Sequence, residues 1–404
     1  MSRDVTLVLT DGVEVFGILP PFRVPTPWWA DVAVVIEAAH ELTGQDVSIL
    51  RLLRTSTSSS SMGGDVTYLA EVTRPPGRRL LAWTGPDPLA PELHRAWWAQ
   101  PGALAGALAW AKAELATSGI DVIEARQQRT WNLSVLVQLE TTDGLVWLKA
   151  VPRFLADEGF VLRHLSSLGS AVGMLPTVLA HDPARSLVLL ADIPGFDLWD
   201  ASATEVVQLA ERLVSLQREG HDRGLPDVVG PEVADRTVPT LAAELESLAH
   251  DGLPHGKLDP GLAVGAAQLA AELPALLSPF DVLPDVLVHG DPHPGNWRAT
   301  RHGGRVLLDW GDVAVANPFA DIGPLLARLL PADAHATRSS VSTMVAEAYG
   351  VEDLAAATAV LPVFREVTGA IIYGRFCRNI EPAEQVYHRD DVTSCLRRAL
   401  AVIE

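Results

Sequence analysis

The stretch Val286-Leu-Val-His-Gly-Asp-Pro-His-Pro-Gly-Asn-Trp297, followed by Arg305-Val-Leu-Leu-Asp-Trp-Gly-Asp312, constrains this chain more than any other. An apolar strand runs into a tight loop carrying His289, Asp291 and Asn296. A turn at His302-Gly303-Gly304 follows, and a second apolar strand ends on Asp309. Paired as a hairpin, the two strands bring the loop beside the second strand's end. Asp291, Asn296 and Asp309 then converge on one small volume. A carboxylate base, an amide oxygen and a second carboxylate are the groups that phosphoryl transfer from Mg-ATP requires.

Composition narrows the partners of such a site. A chain of 404 residues has room for about two to three domains, each with its own core. Its 48% hydrophobic and 20% charged content is that of a globular protein. The formal net charge of −19 opposes nucleic-acid binding as a main role and favours a cationic small molecule. Cys377 and Cys395 are the only cysteines, too few for a disulfide scaffold, which fits a reducing cytoplasm. The start, Met1-Ser-Arg-Asp-Val-Thr-Leu7, has no apolar core with a cleavage site. The Ala-rich run 261–277 is interrupted by Gln268 and Glu272, so no membrane span is expected.

Residues 1–115 read as an α+β unit. Val5 to Gly17 forms a hairpin turning at Asp11-Gly12, and a helix over about 30–42 stops at Gly44. Strands are expected at 47–53, 67–72 and 80–83, with a flexible polar loop at 55–64. A helical pair spans 90–115, carrying Trp97, Trp98 and Trp110. The helix Glu37-Ala-Ala-His-Glu-Leu-Thr-Gly44 followed by the strand Val47 to Leu53 resembles a Nudix hydrolase core. That family's helix needs a cluster of glutamates, and here several of those positions are Ala or Leu. Glu41 alone does not hold the metals, so this resemblance implies a shape without the hydrolase chemistry. Any small α+β capping domain fits the same residues.

Residues 116–193 have the punctuation of a kinase small lobe. The strand 135–141, the turn Thr142-Asp-Gly144 and the strand 145–151 place Lys149 among apolar residues. A charged ammonium there is costly without an anionic partner. Lys112, Lys149 and Lys257 are the chain's only lysines. Where arginine is habitual, a strand lysine suggests a compact charge for the α and β phosphates. A surface lysine on an edge strand is the alternative. Glu158, in a segment with helical apolar spacing, is placed to pair with Lys149, with Asp157 as competitor. The loop Arg129 to Ser134 is expected over the phosphates, with Asn132 and Ser134 either donating to a phosphate or shaping the turn. Backbone groups around Ala191 to Ile193, before the hinge Pro194-Gly195, are expected at the adenine edge.

From about residue 203 the chain is mostly helical, with separate helices expected at 352–361 and 364–378. The motif His289-Gly-Asp291-x4-Asn296 followed by Asp309 resembles the aminoglycoside phosphotransferase family, over roughly residues 120–400. Lys149, the hinge and Asn317-Pro-Phe-Ala-Asp-Ile-Gly323 add to the resemblance. It implies a two-lobed protein-kinase-like α+β fold, with a β-rich lobe at 116–193 and a helical lobe at 194–404 behind the N-terminal α+β domain. It also implies ATP and Mg2+ as cofactors and an alcohol as acceptor. Asp291 is then the catalytic base, Asn296 and Asp309 hold magnesium, and Lys149 neutralises phosphate charge. His289 reads as a support that orients the loop. Asp321 reads as either a helix cap or a brace for that loop. Asp197, Asp200, Glu205, Glu366 and Glu381 are candidates to receive amines of an aminoglycoside or amino sugar, or are surface charges. A kinase for Ser or Thr side chains of a peptide and an inactive nucleotide-binding regulatory module stand as alternative readings.

Overall fold

Alternating apolar residues near the N-terminus build the first sheet of the computed structural model, which describes residues 2–57 and 61–403. Residues 58–60, within the polar loop expected at 55–64, lie outside the described residues. Strands β1 (Arg3–Thr10) and β2 (Val15–Val24) form the expected hairpin, its turn fixed by Asp11 Oδ1 accepting from the N–H groups of Val13 and Glu14. Helix α1 (Ala33–Thr43), β3 (Val47–Thr55) and β4 (Asp65–Val72) follow, giving the sheet order β2-β1-β4-β3 with β1 and β4 parallel. Val5, Leu7, Leu9, Ile49, Tyr68 and Ala70 bury one face of it together with Trp29 and Val35. The strand expected at 80–83 is reduced to one bridge between Leu81 and Ile18. The helical pair expected at 90–115 is a single tight turn, Trp97–Ala99, and one helix, α2 (Ala103–Ala116).

A second antiparallel sheet continues through β5 (Val122–Trp131), β6 (Ser134–Thr141) and β7 (Gly144–Ala150). Helix α3 (Glu158–Leu165) and β8 (Val178–Asp182) intervene before β9 (Leu187–Ala191) returns to pair with β7. Contacts divide the chain into two compact units. Unit 1 holds Met1–Pro152, Ala184–Asp192 and Phe376–Asp390; unit 2 holds Arg153–Pro183, Ile193–Arg375 and Asp391–Glu404. The segment 1–115 therefore shares one unit with the sheet that follows it. Buried Gln127 on β5 is one reason, since its amide accepts from Ile49 N at 3.0 Å and donates to Ile49 O at 2.8 Å. The returning segment 376–390 is the other. Its Glu381 lies 3.2 Å from Arg51 and 3.4 Å from Arg95, Glu384 accepts from Leu52 N at 3.0 Å, and Tyr387 packs edge-on against Trp29.

Unit 2 is mostly helical. After β10 (Gly195–Asp197), α4 (Ala203–Asp222) starts on a capping box between Ser202 and Glu205, which satisfies otherwise orphaned N–H groups. Then come α5 (Leu225–Val229), β11 (Ala234–Asp235), α6 (Val238–Asp251) and α7 (Pro260–Leu276). Four short strands follow, namely β12 (Val286–Val288), β13 (Trp297–Thr300), β14 (Arg305–Leu307) and β15 (Ala314–Ala316). Helices α8 (Ile322–Leu326), α9 (Pro331–Tyr349), α10 (Ala355–Asn379) and α11 (Arg389–Ile403) complete the chain. Pro362 does not split α10 into two helices as expected. An interior proline costs about 3 kcal/mol. Leu361, Val363, Phe364 and Val367 are buried on either side of it, and such side chains contribute about 1.5–3 kcal/mol each. By length and composition alone α7, with its short extension to Phe280, and α10 are apolar enough to cross a membrane. Leu262, Ala266, Leu269 and Leu273 of α7 are nevertheless buried against protein, as in a core helix.

Candidate active site

The apolar strand β12 and the strand β14 that leads to Asp309 do not pair with one another. β12 pairs with β15, in the register Val286↔Ala316 to Val288↔Ala314, and β14 pairs with β13. In place of the expected hairpin there are two nested pairs, with β13–β14 enclosed in the chain between β12 and β15. β12 takes its partner beyond β14, from the strand that follows the Asp309–Asp312 turn. The convergence survives because β13 starts within the loop itself. Asn296 immediately precedes β13, and its carbonyl accepts from Leu308 N at 2.8 Å, so it sits beside the end of β14 and hence beside Asp309.

Each loop residue is held by named bonds. Asn296 Nδ2 donates to the Asp291 carbonyl at 2.8 Å, which commits the amide nitrogen and turns Oδ1, its acceptor atom, the other way. His289 Nδ1 accepts from Asp291 N at 3.2 Å, so Nε2 carries the proton and donates to Leu308 O at 3.0 Å. Its ring stands edge-on to Trp310, with centroids 4.6 Å apart. Gly290 adopts φ +91, and a Cβ there would lie 2.1 Å from Asp312 O. Only glycine lets the loop descend onto the turn after β14. Asp309 is itself left-handed (φ 67), a conformation that aspartate tolerates better than most residues.

Asp321 underlies the loop. It is fully buried, and its oxygens accept from His289 N at 3.0 Å, Gly290 N at 2.8 Å and Gln217 Nε2 at 2.8 Å. Burial pushes its carboxyl up to about 6, and those three donors oppose the shift. It makes no side-chain cap to α8, so the brace geometry is the one present. Glu158 at the start of α3 is 2% exposed and accepts from Trp310 N at 3.0 Å, directly after Asp309. Asp157 caps α3 through Phe160 N and lies 2.6 Å from His181 Nε2. Arg236, 6% exposed, lies 3.4 Å from Asp312.

Enclosure by the loop, then the Asp312 and Asp309 carboxylates, push the Asp291 pKa up, to about 8. Nearly half of the side chain (48%) still meets solvent, and water screens part of that shift. Among the described residues no three His, Cys, Asp or Glu side chains converge as a metal cage. One amide oxygen and one carboxylate at the end of a hairpin suit magnesium, which completes its shell with phosphate oxygens and water.

In unit 1, Lys149 is 9% exposed on β7, opposite Leu136 and Val188, and Ala191 ends the neighbouring strand β9. In unit 2, Ile193 O accepts from Arg298 Nε at 2.5 Å. Asn132 and Ser134 shape the turn between β5 and β6. Trp131 and Ser134 face each other across a two-residue turn. Ser134 Oγ accepts from Trp131 Nε1 at 2.9 Å, and buried Asn132 lies 3.0 Å from His388 Nε2. The stretch 129–134 has no glycine to supply the left-handed positions that a wider loop uses, so the turn stays tight. Gln217, Arg236 and the Glu158–Trp310 bond were not foreseen. A buried glutamine in the apolar stripe of α4 was their one available signal.

These bonds gather Asp291 and Asn296 of one loop beside Asp309, which follows the end of β14. The chain belongs to the phosphotransferase enzyme family, whose model matches residues 137–360, over half of its length. It has the protein-kinase-like fold and is a phosphotransferase with an alcohol group as acceptor. A choline kinase from Streptococcus pneumoniae shares that fold at 14% identity, covering 72% of this chain and 98% of its own, with a TM-score of 0.51. A choline/ethanolamine kinase family protein from Mesorhizobium loti is 16% identical over 74% of this chain and 99% of its own, at 0.48. A macrolide 2'-phosphotransferase from Brachybacterium faecium is 16% identical over 72% and 98%, at 0.49. No curated protein matches the chain by sequence.

Proposed function

We propose that this phosphotransferase moves the γ-phosphate of Mg-ATP to a hydroxyl of a small natural-product-like alcohol in the cytoplasm. The observation that carries the reading is the bond from Asn296 Nδ2 to the Asp291 carbonyl, which ties the base to the metal-binding pair. Asp291 takes the proton of the acceptor hydroxyl. The freed oxygen bonds to the γ-phosphorus as the bond to the ADP oxygen breaks, and ADP leaves. Asn296 Oδ1 and Asp309 would hold magnesium, which when bound neutralises phosphate charge. Lys149 meets the α and β phosphates, and the backbone of Ala191 and Ile193 meets the adenine edge. His289 and Asp321 hold the loop so that positioning, the larger part of this catalysis, is done before substrate arrives.

An acceptor screen with labelled ATP tests this, run over amino sugars, aminoglycosides, hydroxy acids, other natural-product alcohols and peptides. Magnesium-dependent label should appear on at least one small alcohol. A protein that binds Mg-ATP and labels none of them, or labels only peptides, contradicts the reading.

A further inference from the structure

The acids that the sequence offers for an amine-bearing acceptor are mostly occupied. Asp197 is 2.7 Å from Arg298, Glu205 closes the Ser202 capping box, and Glu366 is 2.9 Å from Arg398. Glu381, in unit 1, is buried against Arg51 and Arg95. Asp200 alone of the five is exposed and shows no ion pair among the described residues.

Away from Asp309 and Asp312, unit 2 places an aromatic pair and an arginine on the His293 side of Asp291. His293 Nε2 is 3.8 Å from Asp291 Oδ2, and the His293 ring stacks on Trp199 with centroids 4.9 Å apart and planes 26° from parallel. The Arg328 guanidinium carbon lies 4.4 Å from the Trp199 ring centre. Arg328 is exposed and forms no salt bridge among the described residues. Trp199, 44% exposed, is locked to the catalytic loop at Gly295, where a Cβ would come within 2.5 Å of its ring. A guanidinium held over an indole keeps its charge and its outward N–H donors, and those donors match a carboxylate or other planar anion.

We propose that Trp199, His293 and Arg328 form the acceptor-recognition wall, and that it selects an alcohol carrying an anionic group over one carrying amines. This rests on the kinase reading above and names its substrate class. Three acceptors on one sugar ring isolate the charge: glucuronate, N-acetylglucosamine and glucosamine. Each is titrated into the Mg-ADP-loaded full chain, wild type and Arg328→Glu, and each is assayed for ADP release with Mg-ATP. Glucuronate should bind at least 10-fold tighter than glucosamine to the wild type, and Arg328→Glu should reverse the order. Trp199→Phe, which keeps the ring, should weaken glucuronate less than Trp199→Ala. Glucosamine binding as well as or better than glucuronate, binding of none of the three, or an order unchanged in Arg328→Glu overturns the proposal. Failure of the kinase reading looks different, because the charge order in binding would persist while no alcohol stimulated ADP release.

Discussion

A carboxylate with no exposed surface is costly unless its oxygens are matched by donors, and Asp321 receives three. Two of those donors are consecutive backbone N–H groups of the loop that delivers Asp291, so stability and site geometry depend on the same atoms. Asp321→Ala should lower unfolding stability by about 2–5 kcal/mol in urea titrations, because it orphans buried donors. Gln217→Ala, which leaves the backbone pair in place, should cost less and should retain most transfer activity. Equal losses for the two would refute the brace. This layer was only partly legible in the sequence. Asp291, Asn296 and Asp309 lie within one short stretch, where spacing constrains geometry. Gln217 and Arg236 reach the loop from helices and strands far away in sequence, and nothing local marks their partners.

Strands β10 and β13 show how little the apolar pattern says about pairing. Short buried strands read alike, so the chain's order suggested β12 with β14, whereas the ladders join β12 to β15 and β13 to β14. Glycine carries the more specific message at this scale. A Cβ on Gly195 would lie 2.0 Å from Ala299 O, in the register that pairs Gly195 with Thr300. Gly195→Ala should therefore pry β10 from β13, costing about 1–3 kcal/mol or more and weakening ATP binding through Ile193, two residues earlier. Calorimetry of ATP binding together with a thermal melt checks this. A variant with wild-type melting and affinity would show that the β10–β13 contact is dispensable. Helix α10 carries the converse lesson, since burial outweighs the local signal of Pro362.

Across the whole chain, the returning segment 376–390 explains why residues 1–115 do not form a compact unit of their own. Its His388 is buried, which lowers its pKa to about 3 from an ordinary 6.5. Between those values the unfolded chain binds the proton and the folded chain does not. Stability is therefore full above pH 6.5 and falls as pH drops below it, by about 1.4 kcal/mol per pH unit. Urea unfolding at pH 7.5 and 5.5 should show the wild type losing about 1.4 kcal/mol more than His388→Gln; equal losses would contradict this. Residues 1–115 should show no metal-dependent diphosphate hydrolysis, and hydrolysis abolished by Glu41→Gln would overturn that expectation. The central claim is that Asp291 is the base of a Mg-ATP phosphotransferase. Single-turnover transfer of labelled phosphate, compared between wild type and Asp291→Asn with ATP binding measured in parallel, tests it most directly. The expected result is unchanged ATP affinity with transfer slowed roughly 10²- to 10⁴-fold; transfer at the wild-type rate by Asp291→Asn would contradict it.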